Sequence, residues 1–138
     1  MDIKDEKYHK MCQLKMLVDL ADADSRFHVN EGKFLKHIAE QLGLNDDDFQ
    51  EVITFPKKYP YQKPKDDAER MSQLYYLLFL MKVDGDIAPK EVEFIRSVAL
   101  FLGVNLRLTD ELIQLMYQFL GKELPPEAIK ETIKKLLN

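Results

Sequence analysis

Apolar residues along this chain recur at intervals of three and four, the spacing that lines one face of an α-helix. Val/Ile/Thr-rich alternation with Asn-Gly or Asp-Gly hairpins is missing, so the pattern predicts an all-α protein. A first helix is expected over 5–21, with Met11, Leu14, Leu17, Val18 and Ala21 on one face. A second starts near Asn30 and turns Phe34, Leu35, Ile38, Ala39 and Leu42 inward. Gly43 then falls where a left-handed terminal residue is wanted. Asn45 suits the cap of a short third helix that ends before Pro56.

Segment 56–66, PKKYPYQKPKD, holds three prolines and four lysines and reads as an extended connector. A fourth helix is expected over 67–83, and a fifth from Pro89 to Gly103. Thr109 is the expected cap of a sixth, stopping at Gly121, and Pro125-Pro126 opens a seventh that runs to Leu137. About seven helices with short loops make a compact bundle.

Residues 17–45 align with 77–105 at a constant offset of 60, without a gap. Leu17/Leu77, Leu20/Leu80, Asp24/Asp84, Glu31/Glu91, Phe34/Phe94, Ala39/Ala99, Leu42/Leu102, Gly43/Gly103 and Asn45/Asn105 are identical. Phe27/Ile87, Leu35/Ile95, Lys36/Arg96 and Ile38/Val98 are conservative pairs. Helical amphipathicity matches apolar positions in any two helices, but not an Asp, a Glu, a Gly and an Asn across a loop. The chain therefore reads as one domain over 1–138 with internal repeats at about 14–55 and 74–120, joined by the connector.

The second copy, LMKVDGDIAPKEVEFIRSVALFLGV, has a helix ending in Asp-Gly, a short apolar loop and a Glu opening the next helix. The first, LADADSRFHVNEGKFLKHIAEQLGL, follows the same plan with Ser25 in place of the glycine. In these features, over residues 14–120, the chain resembles the TerB family of tellurite-resistance proteins. The resemblance implies a duplicated all-helical bundle, a link to tellurite and stress resistance, and acidic residues that bind metal.

Composition narrows the function classes. The 138 residues are 46% hydrophobic and 32% charged, as in a globular protein, and the net charge of −4 argues against a general nucleic-acid binder. A single cysteine, Cys12, forms no internal disulfide and fits a reducing compartment. The charged start MDIKDEKYHKM lacks the apolar stretch of a signal peptide. The longest apolar run, Leu74 to Met81, is eight residues, short of the roughly 20 that span a bilayer. A cytoplasmic protein without membrane insertion is expected.

Each repeat places carboxylates on both sides of one interhelical loop. Asp22 and Asp24 precede the first and Glu31 follows, with His28 between; Asp84 and Asp86 precede the second and Glu91 follows. Oxygens converging from a helix end and the next helix start can hold Ca²⁺, Mg²⁺ or Mn²⁺. The bland alternative is that Glu31 and Glu91 are first-turn capping residues and the aspartates turn formers. Spacing excludes an EF-hand, since twelve positions from Asp84 and Asp24 fall on Ile95 and Leu35 rather than on a bidentate Glu.

Catalytic signatures are missing, and the expectation is a non-enzymatic protein. Only one Glu-x-x-His pair, Glu6 with His9, is available where a di-iron bundle needs two, and it lies where a helix end frays. His37 falls off the apolar face and Cys12 among Met11, Met16 and Leu20, as a solvated and a core residue respectively. Ser72 and Ser97 lack a Gly-x-Ser-x-Gly context, and no glycine loop cradles phosphate. The lysines and tyrosines of the connector have the composition of a stacking surface, but in an acidic protein they read better as a linker pinned to the bundle by Tyr59 and Tyr61.

The copies also differ. Asp19, Glu40 and Gln41 become Phe79, Leu100 and Phe101, and the fourth helix is apolar nearly all round, as in a fully buried helix. The seventh helix, with Ala128, Ile129, Ile133 and Leu136 as its stripe, is expected to cover this surface, or else a second copy does. Two functions follow: a metal-binding module docking an unidentified protein partner, as monomer or homodimer, or a metal-free scaffold.

Overall fold

The computed structural model describes residues 3–23, 29–82 and 87–137, with side chains for all of these except 3, 4, 29, 30, 126 and 135–137. Among the described residues there are seven α-helices and no strand: α1 (Ile3–Asp22), α2 (Val29–Gln41), α3 (Asp46–Thr54), α4 (Asp67–Lys82), α5 (Pro89–Leu102), α6 (Leu106–Gln118) and α7 (Pro126–Leu137).

Helix ends follow from local chemistry. Gly43 and Gly103 take φ of 80° and 84°, left-handed values that suit a residue without a β-carbon. Past each glycine the chain turns back, and the N–H groups of Leu44 and Val104 donate to Ala39 and Ala99 carbonyls, both at 2.8 Å. Two residues beyond each glycine an asparagine caps the next helix. Asn45 Oδ1 accepts from the Asp48 N–H at 2.9 Å, and Asp48 accepts in return from the Asn45 N–H at 3.0 Å. Lys7 of α1 pairs with the same Asp48 carboxylate at 2.9 Å.

At the matching position Asn105 accepts from Arg107 and Leu108 N–H groups at 2.7 and 3.3 Å, so it and not Thr109 caps α6. Thr109 is wholly buried inside the first turn, with its hydroxyl donating to the Asn105 carbonyl at 3.0 Å. The connector also departs from a purely extended course. Pro56–Lys58 forms one 3₁₀ turn, tolerated because proline at its first position needs no N–H partner.

α1 and α4 pack against each other at the centre, and their leucines fill the core. Leu14, Leu17, Leu20, Leu74, Leu77 and Leu80 are each at most 1% exposed. α1 also touches α2, α3 and α5, while α4 touches α5, α6 and α2. These sets correspond under the 60-residue offset. Two contacts join residues to their own counterparts: the Gln73 amide donates to the Gln13 carbonyl at 3.0 Å, and His9 meets Glu69. Self-contact of equivalent positions is what an approximate two-fold axis between α1 and α4 produces. Along 31–40 and 91–100 the order of buried, half-buried and exposed positions is the same at every step.

The expected cover for the extra apolar residues is not the one observed. α7 packs chiefly on α6, through Ala128, Ile129 and Ile133; the side chain of Leu136 lies outside those described. Phe101 is half-buried under the connector, with the Tyr61 ring edge-on at 6.1 Å and the Lys63 ammonium 4.3 Å from its ring centre. Phe79 is half-buried, and so are Tyr75 and Tyr76, so α4 is not enclosed on every side. Leu100 is 60% exposed. The connector reaches α5 at Phe94 and Phe101 through Tyr61 and Lys63, while α7 packs on α6 instead.

Leu77→Ala should cost about 2–5 kcal/mol in urea unfolding, through lost burial and the cavity left behind. Leu100→Ala should stay within about 0.5 kcal/mol of the parent. Asn105→Ala should cost about 1 kcal/mol by losing the α6 cap. An equal effect of Leu77 and Leu100 would contradict this packing.

Candidate functional site

Glu31 and Glu91 stand at the third residue of α2 and α5, where two acidic helix junctions were expected to gather metal ligands. Both are buried, at 3% and 6% exposure, on equivalent elements. In the second junction Pro89 occupies the first helical position, and Glu91 reaches back to accept from the Ala88 N–H at 3.0 Å. The negative carboxylates also face the positive end of their helix dipoles.

Asp22 lies exposed at the C-terminal end of α1. Partial burial of its carboxyl, and then the charge of Asp19, push its pKa upward. Asp24, Asp84 and Asp86 lie outside the described residues, and so do His28 and Gly85. Among the described residues no group of three or more His, Cys, Asp or Glu is drawn together. The named donors are all carboxylate oxygens, a set that suits a hard divalent cation better than a soft one. Cys12 is ten positions before Asp22 on the same helix, about 15 Å away along the axis.

Cys12 itself is 1% exposed. Burial raises its thiol pKa against smaller opposing effects of the Tyr8 hydroxyl and Lys15, which keeps it protonated and a poor nucleophile. His37 is exposed, with Nε2 3.1 Å from the Gln41 amide nitrogen.

The connector is fastened by its tyrosines. Tyr59 is buried, its hydroxyl donates to Glu51, and burial followed by that bond pushes its pKa up to about 12. Tyr61 donates to Asp19 at 2.6 Å and stacks edge-on against Phe94 and Phe101. Lys15 completes the group, 2.7 Å from the Asp19 carboxylate and 5.0 Å from the Tyr61 ring centre. The connector is tied to α5 as well, since Lys63 Nζ donates to the Phe101 carbonyl at 2.6 Å.

His9 is the residue the sequence misjudged. Its place near a helix end suggested fraying, yet its side chain is only 12% exposed. Nδ1 lies 2.5 Å from Gln62 Oε1 of the connector, and Nε2 2.5 Å from Glu69 Oε1 of α4. Extending the 60-residue register toward the N-terminus, which pairs His9 with Glu69 and Gln13 with Gln73, is the signal that would have found it.

Comparison with protein-family models, with curated proteins and with solved structures returns no match to this chain. No helix among the described residues is long and apolar enough to cross a membrane. Tyr61→Phe should cost about 1–2 kcal/mol, because its hydroxyl bonds a carboxylate. A urea titration unchanged by that substitution would show that the bond holds nothing in place.

Proposed function

We propose that this chain is a non-enzymatic, TerB-like cytoplasmic protein built from two copies of one helical unit. Its acidic helix junctions bind a divalent cation, and its surface docks a protein partner, in a tellurite or stress response. The observation that supports this most is the paired burial of Glu31 and Glu91, at 3% and 6% exposure. Carboxylate oxygens at matching places in two acidic junctions are the donors that a hard divalent cation takes. The like charges of Asp19 and Asp22, which help to push the Asp22 pKa up, are the kind of crowding a cation relieves.

Of the two junctions, Asp84, Asp86 and Glu91 form the better site, and Asp22, Asp24 and Glu31 the weaker. The reason is in the sequence: Gly85 has no β-carbon and takes positive φ readily, whereas Ser25 at the matching place resists it. Ca²⁺, Mg²⁺ and Mn²⁺ all suit such oxygen donors.

The bond from the Ala88 N–H to Glu91 favours a second reading, a metal-free scaffold whose acids are caps. The docking residues in either case include Leu100 and Tyr117, exposed by 60% and 41%.

Thermal melts with each metal test the choice. A site with a Kd of about 10 μM gives ~2.7 kcal/mol at about 1 mM metal, a rise of several degrees in Tm. Glu91→Gln should abolish most of that rise and Glu31→Gln should leave most of it. If millimolar Ca²⁺, Mg²⁺ and Mn²⁺ all leave the Tm unmoved, the acids are caps and the scaffold reading replaces the metal one.

A further inference from the structure

The connector crosses the middle of α1 above the single cysteine of the chain. Cys12, Gln13 and Met16 of α1, Gln62 and Pro64 of the connector, and Gln73 of α4 surround a void too narrow to admit water. A reagent in solution therefore reaches the Cys12 sulfur only when the connector lifts.

What holds the connector down here is His9. Both of its ring nitrogens face acceptor oxygens, Gln62 Oε1 and Glu69 Oε1, each at 2.5 Å. A neutral imidazole carries one N–H and satisfies one acceptor; only the imidazolium donates to both. Glu69 gathers the segment further, since the Lys65 N–H donates to the same Oε1 at 3.1 Å. On either side the chain is fixed, by Tyr61 on Asp19 and by Asp66, whose carboxylate accepts from the Glu69 N–H at 2.8 Å. Between these anchors Lys63 Nζ donates to the Phe101 carbonyl at 2.6 Å, while the Gln62 side chain is held by His9.

We propose that the His9 proton is the catch of a strap. Protonated His9 holds residues 62–65 over Cys12, and loss of the proton releases Gln62 and opens the thiol to solvent. The charged groups facing His9 are Glu69 from α4, which favours the proton, and Lys65 from the connector, which opposes it. Burial also works against the charge, but the bonds to Glu69 and Gln62 outweigh it and leave the pKa above its ordinary 6.5. A raised folded value means that the catch is fully engaged below pH 6.5 and is lost as pH rises through the folded pKa.

Cys12 is its own reporter. The rate of its modification by a small maleimide is measured on the native full chain and on the urea-unfolded chain at each pH from about 5.5 to 9. Dividing the first by the second cancels the changing thiolate fraction and leaves the opening equilibrium. The ratio should be flat at low pH and then rise, by about tenfold for each unit separating the closed and open pKa of His9. His9→Gln, which cannot titrate, should give a flat ratio at the open level. Glu69→Gln, which keeps the imidazole, should move the rise to lower pH, and it carries the test where His9→Gln does not fold.

The imidazole protons of His9 should titrate in NMR with a midpoint above 6.5. A parent ratio independent of pH overturns the proposal, and so does a rise that survives His9→Gln. A His9 midpoint at or below 6.5 also overturns it, because the Gln62 amide would then be donating to a neutral ring.

Discussion

The contact between α1 and α4 is the constraint from which the other packing follows. Each helix supplies leucines that have no water on any side, and each carries its own hairpin partner, α2 or α5. Because residues 60 apart meet across the seam, whatever α1 does to α5 is matched by what α4 does to α2. Burial of a leucine stabilises by about 1.5–3 kcal/mol, so six such side chains outweigh any surface ion pair in the molecule. The polar contacts at the seam, Gln73 to Gln13 and Glu69 to His9, fix its register rather than its strength. A slide of either helix by one residue would part both pairs at once.

Around that seam the junctions are repeated devices: a left-handed glycine, a returning N–H and an asparagine two residues later. They end α2 and α5 and start α3 and α6 by matching hydrogen bonds. The acidic loops sit at the opposite ends of α2 and α5. The buried glutamates are therefore held by regular helices whose far ends are also capped.

Much of this was legible. Helix bounds, the Asn45 cap and the inward faces follow from periodicity and from Gly and Pro positions. Thr109 misled because threonine also caps helices; the Gly103–Asn105 spacing, which matches Gly43–Asn45, decides the matter once the 60-residue register is used. Leu100 misled for a deeper reason. Periodicity says which residues share a face, but not whether any element arrives to cover that face. His9 was dismissed because its partners, Gln62 and Glu69, are more than fifty residues away in sequence and neither belongs to a local pattern. Of the six acidic residues named from sequence, Glu31, Glu91 and Asp22 are placed by the structure, while Asp24, Asp84 and Asp86 lie outside its described residues.

The 60-residue separation across the seam also sets a schedule for synthesis. A ribosome adds about 5–20 residues per second, so α1 leaves the exit tunnel roughly 3–12 seconds before α4 can cover it. During that interval the leucine face of α1 is bare, and α2 and α3 shelter only its flanks. The same face is presented by every other nascent copy on the same message. A symmetric seam that closes within one finished chain is thus, for a few seconds, open to its neighbour on the polysome, and the short 56–66 connector limits how long that exposure lasts.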